Sequence, residues 1–279
     1  MQGIADTVKD IAEIFITREE KKMEYTEVDM FGIADEVAIV TGAAGGIGFE
    51  IARSFAHLGA HAVLVDIDQK KLDQAVDKLK AEGKDALAVA TDLTNKADVE
   101  KMAKTVFDKF GKIDILVNSA GIAYLEDAVD FDEAMWDKVM AVNVKGTLLP
   151  CQAVGRYMLQ KEKGRIVNIS SVRGMQGRAR DLAYAPSKGA VNQLTRSLAI
   201  EWAKKNINVN AVAPIFTLTE INKDMLNDKK TMDWVISRMP KGRLSQTSYL
   251  TGPTVFLCSK SSEFITGQIL YVDGGWTCA

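Results

Sequence analysis

Short apolar segments alternate with amphipathic helical patterns along most of the chain, and this alternation constrains the fold more than any other feature. The segments with the length and apolar content of strands are Val37–Val40, Ala62–Val65, Ala86–Ala90, Ile113–Val117, Arg165–Ile169, Ile207–Val212 and Ile269–Val272. The helical patterns between them include Gln69–Ala81, Val99–Phe110 and a long one over Ala134–Leu159. Strands that are apolar on both faces are typical of a parallel sheet covered by helices on both sides. The sequence therefore predicts an α/β fold, a single doubly wound domain with a mostly parallel seven-stranded sheet.

Residues 1–30 precede this alternation, and we predict that they form a helical extension to a domain covering residues 31–279. Apolar residues recur in the extension at helical spacing, which indicates a short amphipathic helix. Its apolar stripe consists of Ile4, Val8, Ile11 and Phe15. The stripe could pack on a neighbouring subunit, on the surface of its own domain or on a membrane. The acidic residues spread through it argue against the membrane.

Composition excludes several classes of protein. The chain has 279 residues, of which 47% are hydrophobic and 26% are charged, and its net charge of −2 leaves no basic excess for nucleic acid. No apolar run approaches the ~20 residues that a membrane span needs, and acids interrupt the first twenty residues, unlike a signal peptide. Cys151, Cys258 and Cys278 are odd in number and fit no metal-ligand spacing, which favours reduced thiols. We therefore predict a cytoplasmic protein with no metal, no nucleic-acid partner and no membrane association.

A glycine-rich turn, Thr41–Gly48, lies between the first strand and the helix that follows it. Glycines at this place allow a tight turn, let the backbone approach a pyrophosphate and direct helix amide groups at it, as in Rossmann-type domains. Asp66 ends the second strand, where a carboxylate can accept hydrogen bonds from the ribose hydroxyls of an adenosine. It would also repel a 2′-phosphate, and no Arg or Lys in the turn offsets its charge. The pattern favours NAD over NADP, with a turn residue or a helix cap as the alternative for Asp66.

Ser171, Tyr184 and Lys188 form a candidate catalytic group. Tyr184 and Lys188 are four residues apart at the start of a helical pattern, so that both side chains project from one helix face. An ammonium beside a phenol favours the phenolate and lowers the tyrosine pKa towards the range of a general base. Ser171 follows a buried strand, at the sheet edge where α/β proteins bind ligands. The alternative is an ordinary helix with an unremarkable Tyr and Lys, and a serine that merely closes a strand.

These motifs, in this order, resemble those of the short-chain dehydrogenase/reductase family, in its common single-domain form. The resemblance covers residues 31–279. The segments that carry it are Thr41–Gly48, Asp92, Asn118–Gly121, Asn143, Ser171, Tyr184–Lys188 and Val272–Gly275. It implies a nicotinamide-dependent oxidoreductase that interconverts a secondary alcohol and a ketone, assembled as a homo-oligomer, with a tetramer favoured.

The resemblance also implies a role for each matching residue. Tyr184 would act as general acid and base, and Ser171 would orient the substrate oxygen. Lys188 would bind the nicotinamide ribose, and Asn143 would hold a water that relays protons to Lys188. Asp92 would meet the adenine, and Thr219 the nicotinamide end. The full set of cofactor-binding residues is Gly42, Gly46, Ile47, Gly48, Asp66, Asp92, Leu93, Asn118, Ala120, Gly121, Tyr184, Lys188, Pro214 and Thr219.

Two positions depart from the family pattern. Ser119 stands where the family usually has a second Asn, so one amide contact beside the cofactor is lost or replaced. Ile215 stands where the family usually has a glycine after the proline. A β-branched residue would be strained there if the position required a positive φ. The loop that carries Thr219 would then follow a different path.

Within the family, the segments Glu201–Ala211 and Gly252–Leu257 resemble the sugar-acid dehydrogenases, such as gluconate 5-dehydrogenase and 2-deoxy-gluconate 3-dehydrogenase. The alternatives are a hydroxysteroid or bile-acid dehydrogenase of the same family, and a non-catalytic NAD-binding sensor. An epimerase or dehydratase usually has a larger substrate domain, for which this length leaves little room.

Three arginines, Arg173, Arg178 and Arg180, lie in the loop between Ser171 and Tyr184. A guanidinium binds a carboxylate through two parallel hydrogen bonds, so this loop is a candidate site for an acid group of the substrate. The alternatives are that these arginines face water, pair with Asp181 or contact another subunit.

Overall fold

Seven parallel strands form the central sheet of the protein. The structure is a computed structural model that describes residues 30–219 and 229–279. The strands are β1 (Val37–Thr41), β2 (His61–Asp66), β3 (Ala86–Ala90), β4 (Ile115–Asn118), β5 (Gly164–Ile169), β6 (Ile207–Pro214) and, at one edge, β9 (Ile269–Val272). They follow the order β3-β2-β1-β4-β5-β6-β9, and every pairing is parallel. The predicted doubly wound α/β fold is confirmed.

Helices cover both faces of the sheet. They are α1 (Gly46–His57), α2 (Gln69–Ala81), α3 (Lys96–Phe110), α4 (Glu133–Met140), α5 (Gly146–Lys161), α6 (Tyr184–Trp202), α7 (Lys229–Ser237) and α8 (Thr251–Cys258). Alternate strand residues enter opposite cores: Ala38 and Val40 pack with α1, α2 and α8, whereas Val37 and Ile39 pack with α3, α5 and α6. This two-sided burial explains why the strands are apolar throughout.

Local sequence signals place several helix ends. Asp68 accepts a hydrogen bond from the Lys71 backbone N–H at 3.1 Å and begins α2, and Asn95 begins α3 by accepting from the Ala97 N–H at 2.9 Å. Gly111, with φ 70°, ends α3 in the left-handed conformation that glycine adopts without strain.

The predicted helix over Ala134–Leu159 is wrong in one respect, because it is not continuous. A π-helical turn, Ala141–Lys145, separates α4 from α5, and the Gly146 N–H donates to the Ala141 carbonyl five residues earlier. Such turns insert a residue and rotate the side chains around them. Asn143 lies in this turn.

From β1 the chain adds β2 and β3 on one side of the sheet, and it then crosses over to add β4 on the other side of β1. The order of the strands therefore reverses between β1 and β4, which are adjacent in space. Ligands of open α/β sheets bind outside the carboxyl ends of the strands at such a switch point. The glycine-rich turn follows β1, and Ser119–Gly121 follows β4, so that both predicted segments border the same crevice.

A smaller structure lies beyond the carboxyl end of β6. It contains α7 and the paired strands β7 (Thr217–Leu218) and β8 (Ser245–Gln246). Its hydrophobic cluster consists of Val172, Ile215, Val235, Met239 and Trp276. The predicted helix with Ile4 to Phe15 lies outside the described residues, and within them we find no helix with the length and apolarity to cross a membrane.

Candidate active site

The end of β5 positions Ser171. The Ser170 N–H still pairs with the Val212 carbonyl of β6 at 2.8 Å, and Ser171 follows in extended conformation. The Ser171 hydroxyl accepts a hydrogen bond from the Arg173 N–H at 3.1 Å, and the side chain is buried. A short 3₁₀ turn over Val172–Gly174 then leads into the loop with the arginines.

Helix α6 brings Tyr184 and Lys188 to Ser171. Tyr184 is its first residue, and Lys188 lies one turn later with its Nζ 5.6 Å from the centroid of the Tyr184 ring. The Lys188 Nζ donates to the Ile169 carbonyl at 2.8 Å, which fixes the lysine against the end of β5. Ser171 lies close enough to Tyr184 for an interaction between their hydroxyl groups that lowers the pKa of Tyr184. The structure therefore brings all three predicted residues together.

Burial dominates the electrostatics of this group. It raises the pKa of Tyr184, and the Ser171 hydrogen bond and the charge of Arg173 lower it by less. Burial also lowers the pKa of Lys188 to about 8. The net effect of the protein's own groups is a raised tyrosine pKa, because desolvation of the phenolate outweighs the favourable interactions, and a lowering by Lys188 stays a prediction. Tyr184 is a neutral phenol at pH 7, the form that can donate a proton.

Asn143 has its side chain fully engaged. Its Oδ1 accepts from the Ile122 N–H at 2.8 Å, and its Nδ2 donates to the Ile122 carbonyl and to the Ser187 hydroxyl, both at 2.9 Å. The amide thus fixes the segment after β4 to α6. The water relay to Lys188 stays a prediction, since this side chain is occupied by protein groups.

Ser187 is a site residue that the sequence analysis missed. Its fully buried hydroxyl donates to the Tyr184 carbonyl at 2.6 Å and accepts from Asn143. A polar residue on the buried face of α6, three positions after Tyr184, was the available signal. Through this contact the π-helical turn braces the first turn of α6.

The glycine-rich turn packs closely against the segment after β4. A Cβ on Gly42, which has φ +64°, would lie 2.8 Å from the Ala120 Cα, and a Cβ on Gly48 would lie 2.3 Å from the Gly42 carbonyl oxygen. Only glycine fits either position. At Gly45 a Cβ would meet nothing within 4 Å, so this face of the turn is open. Ile47 packs instead against the core under α1.

Asp66 lies at the edge of this turn. Its carboxylate accepts hydrogen bonds from three backbone N–H groups, those of Ala44 at 3.3 Å, Ile67 at 2.8 Å and Asp68 at 3.3 Å. The contact with Ala44 holds the carboxylate beside the glycine-rich turn. The helix-cap alternative is wrong for Asp66, because Asp68 caps α2.

Asp92 and Leu93 follow β3. Asp92 accepts from the N–H and the hydroxyl of Thr94 at 2.8 and 2.7 Å, and these contacts form an Asx-turn. Leu93 is buried and faces the start of α5, where a Cβ on Gly146 would lie 3.4 Å from the Leu93 Cβ.

Asn118 connects the central strands. Its Nδ2 donates to the Asn168 Oδ1 at 2.9 Å and to the Cys151 Sγ at 3.2 Å, which ties β4 to β5 and α5. At the departure from the family pattern, the backbone N–H of Ser119 donates to the Thr41 hydroxyl at 3.1 Å, and that of Ala120 does so at 3.3 Å. Main-chain contacts therefore hold this segment against β1.

The loop after β6 reaches the glycine-rich turn. Pro214 ends the strand, and a Cβ on Gly46 would lie 3.7 Å from the Thr219 methyl group. Ile215 is absent from the residues with positive φ, and it is buried in the cluster beyond β6. The backbone strain that we considered there does not occur, because the side chain has a packing role.

The three arginines separate into two groups. The guanidinium carbons of Arg173 and Arg178 lie 5.7 and 5.6 Å from the centroid of the Phe216 ring. Arg180 instead pairs with Glu126 at 3.5 Å and with Asp127 at 3.2 Å. The prediction that all three form one anion site is therefore wrong for Arg180, because acids from the segment after β4 hold it elsewhere.

A cavity of about 1060 Å³ opens beside Arg173 and Arg178. The α7 segment forms its opposite wall with Lys230, Trp234 and Arg238. Sequence analysis missed these residues, since they belong to no recognised motif and carry no spacing signal.

The crevice fits a nicotinamide dinucleotide. Its one end has the open glycine-rich turn and Asp66, and its other end has Tyr184 and Lys188. The class of protein that this arrangement defines is a dinucleotide-dependent oxidoreductase on a doubly wound fold.

Comparison with known proteins places the chain within that class. A short-chain family model described as enoyl-(acyl carrier protein) reductase matches residues 42–277. The 5-keto-D-gluconate 5-reductase of Escherichia coli K12 is 38% identical over 251 residues, which are 90% of this chain and 99% of the relative. The NAD-dependent glycerol dehydrogenase of Listeria innocua is 40% identical over 247 residues, 88% and 96% of the two chains.

A solved structure is similarly close. Gluconate 5-dehydrogenase from Burkholderia cenocepacia, in complex with NADP and tartrate, matches with a TM-score of 0.87 at 36% identity, covering 90% of this chain and 98% of that one. The chain belongs to the short-chain dehydrogenase/reductase family. It is an oxidoreductase of that family, acting on CH–OH groups with a nicotinamide cofactor.

Proposed function

We propose that this protein interconverts a secondary alcohol and a ketone, with Tyr184 as the general acid and base. The convergence of Ser171, Tyr184 and Lys188 at the carboxyl end of β5 carries the proposal. Ser171 orients the substrate oxygen by a hydrogen bond. Tyr184 donates its proton to that oxygen in reduction and accepts it in oxidation. The nicotinamide cofactor supplies the hydride chemistry, and Lys188 provides a positive charge near the proton transfer.

Neighbouring polar groups hold the catalytic side chains in place. Asn143 and Ser187 link the segment after β4 to the first turn of α6, and the Ile169 carbonyl holds Lys188. We assign cofactor contacts to the glycine-rich turn, to Asn118–Gly121, and to Pro214 and Thr219 after β6. Asp92 and Leu93 complete this set on the adenine side.

NAD is the proposed cofactor. The Asp66 carboxylate is fixed beside the glycine-rich turn, where it would repel a 2′-phosphate, and that turn has no basic residue. The names of the relatives include both NAD and NADP: the Listeria enzyme is described as NAD-dependent, and the Burkholderia structure contains NADP. Asp66 is therefore the feature on which this choice depends.

The names of the relatives favour a polyol or a sugar acid as substrate, and a hydroxysteroid or bile acid is the alternative. We further propose a homotetramer, by similarity to the family. A cytoplasmic location is supported by Cys151, Cys258 and Cys278, which form no disulfide.

Turnover by Tyr184→Phe tests the function. The phenylalanine ring still packs, but the proton-transfer group is gone, so kcat should fall about 10²-fold or more while NADH binding is retained. Tyr157→Phe, on α5 against Phe107, is a matched control that should keep wild-type turnover. The assay uses a panel of polyols, sugar acids and steroids with each cofactor.

Near-normal turnover by the Tyr184→Phe variant would remove Tyr184 from the mechanism. A wild-type protein that binds NADH but turns over no alcohol would favour the sensor alternative. Equal or better kcat/KM with NADP would contradict the role of Asp66.

A further inference from the structure

The cavity beside the active site has an excess of positive charge. Four basic side chains line it, those of Arg173, Arg178, Lys230 and Arg238. Among the residues that the structure describes, no Asp or Glu lines this cavity, and the carboxylate of Ala279 is the acidic group beside the four basic side chains. Cations collected on one concave surface raise the local concentration of anions and favour their binding.

Arg173 and Arg178 are close enough to repel each other. Arg173 is half-buried, and its pKa is lowered first by burial and then by the charge of Arg178. Asp181 is the acid that acts on both, but its carboxyl is buried and accepts from the Ala185 N–H at 3.3 Å.

Aromatic rings hold the arginines by their faces. Arg173 and Arg178 each lie over the Phe216 ring, and the Arg238 guanidinium carbon is 5.1 Å from the centroid of the Trp234 ring. A guanidinium bound against a ring keeps the N–H donors of its edge for hydrogen bonds. This geometry suits a carboxylate, which accepts two parallel hydrogen bonds from such an edge.

The aromatic rings that line the cavity also pack against one another. Trp276 makes edge-to-face contacts with Phe216 at 5.9 Å and with Trp234 at 6.1 Å between ring centroids. Its indole N–H donates to the Gln176 Oε1 at 2.9 Å. The arginine loop and the α7 segment are therefore joined through one aromatic cluster, which fixes the spacing between Arg173 and Arg238.

This surface adjoins the catalytic group but does not include it. Arg173 contacts the Ser171 hydroxyl through its backbone N–H, while Ser171 and Tyr184 do not line the cavity. A ligand bound at Arg238 would therefore have to extend beyond the residues that line the cavity to reach Ser171. Its charged group would be remote from the reacting carbon.

We propose that Arg173, Arg178 and Arg238 form a carboxylate subsite, which binds the acid group of the substrate at a distance from the alcohol that Tyr184 and Ser171 act on. The inference rests on the proposed function for the alcohol chemistry. It assigns Arg238, from the end of α7, as a specificity-determining residue, and it excludes Arg180. The carboxylate can belong to a sugar acid or to a steroid acid, since the subsite recognises the charged group alone.

Equilibrium binding tests the subsite without requiring turnover. Trp234 and Trp276 line the cavity, so quenching of tryptophan fluorescence reports occupancy in the full-length protein with NADH bound. Two pairs of probes differ only in charge: gluconate with gluconamide, and cholate, below its micellar concentration, with methyl cholate. The variants are Arg238→Ala, Arg238→Lys and, as a control, the surface substitution Arg196→Ala.

In one pair the acid should bind about tenfold more tightly than its neutral partner, and that pair identifies the source of the carboxylate. Arg238→Ala should abolish this preference and leave the affinity for the neutral partner unchanged. Arg238→Lys should retain part of the preference for the acid, because lysine keeps the positive charge but lacks the planar guanidinium that donates two parallel hydrogen bonds. Arg196→Ala should match wild type.

Equal affinity for acid and neutral forms in both pairs would overturn the inference, as would failure of both acids to bind. An Arg238→Ala variant that loses acid and neutral ligand alike would also overturn it. Failure of the proposed function is a separate outcome: the wild-type protein would show the charge preference but oxidise no alcohol.

Discussion

The amino group of Lys188 is buried, and this burial lowers the free energy of unfolding. Burial lowers its pKa to about 8 from the ordinary value of 10.5, so the charged form is disfavoured in the folded protein. Below about pH 8 both folded and unfolded chains are protonated, and the folded state bears the full desolvation cost. Between about 8 and 10.5 the unfolded chain binds the proton more tightly, so this cost declines as the pH rises.

We therefore predict that Lys188→Met stabilises the protein at pH 7 while it removes activity. The shift corresponds to roughly 3 kcal/mol as an upper bound, and loss of the bond to the Ile169 carbonyl reduces the gain. Chemical denaturation across pH measures it, and the gain should disappear as the pH approaches 10.5. Lys101→Met, on the exposed face of α3, should show no such pH dependence. A Met variant that is less stable than wild type at pH 7 would contradict the burial cost.

Helices α5 and α6 approach closely where Gly155 faces Trp202. A Cβ on Gly155 would lie 2.8 Å from the Cη2 atom of the Trp202 ring. Trp202 is buried in the core beneath both helices, so the ring has little freedom to move. The glycine therefore sets the distance between the helix that follows the π-helical turn and the helix that carries the catalytic pair.

Gly155→Ala should lower the free energy of unfolding by about 1–3 kcal/mol, because overpacking outweighs the higher helix propensity of alanine. Gly252→Ala in α8 is the matched control, since a Cβ there would meet nothing within 4 Å. The control should be neutral or stabilising by up to about 1 kcal/mol. Urea denaturation measures the free energy of unfolding of both variants. If both substitutions stabilise the protein equally, the contact between α5 and α6 relaxes to accept the extra methyl group, and the prediction is wrong.

At the scale of the whole molecule, the crossover between β1 and β4 organises the site. It places the glycine-rich turn and Ser119–Gly121 at one crevice, while β5 and β6 bring the catalytic group and the Pro214–Thr219 loop to the same edge of the sheet. Every predicted chemical group except Arg180 borders this edge or the cavity beside it. All of these predicted groups lie within residues 31–279.

Deletion of residues 1–30 should therefore alter assembly or stability more than catalysis. The expected result is a folded enzyme with kcat and KM close to those of the full chain and with a changed oligomeric state or melting temperature. Light scattering, thermal denaturation and steady-state kinetics on the two forms measure this. A truncated protein that keeps its assembly and stability but loses activity would place the extension at the active site.

The sequence by itself determined the sheet, most of the helices that cover it and the spacing of the candidate catalytic group. Continuous apolar strands have no stable arrangement except between two helical layers, and the spacing of Tyr184 and Lys188 fixes their common face on any helix. The glycines of the nucleotide turn are similarly local, because their conformational freedom is needed wherever that turn forms. Such features depend on neighbours in the chain, so they can be predicted without a structure.

Tertiary structure decided the features that depend on distant segments. The pKa of Tyr184 is raised chiefly by its burial, and Arg180 pairs with acids more than fifty residues away. Arg238 joins Arg173 because the segment beyond β6 packs against the arginine loop through Trp276. No local pattern encodes these contacts, because each arises from desolvation and packing between parts of the chain that meet only in the folded protein.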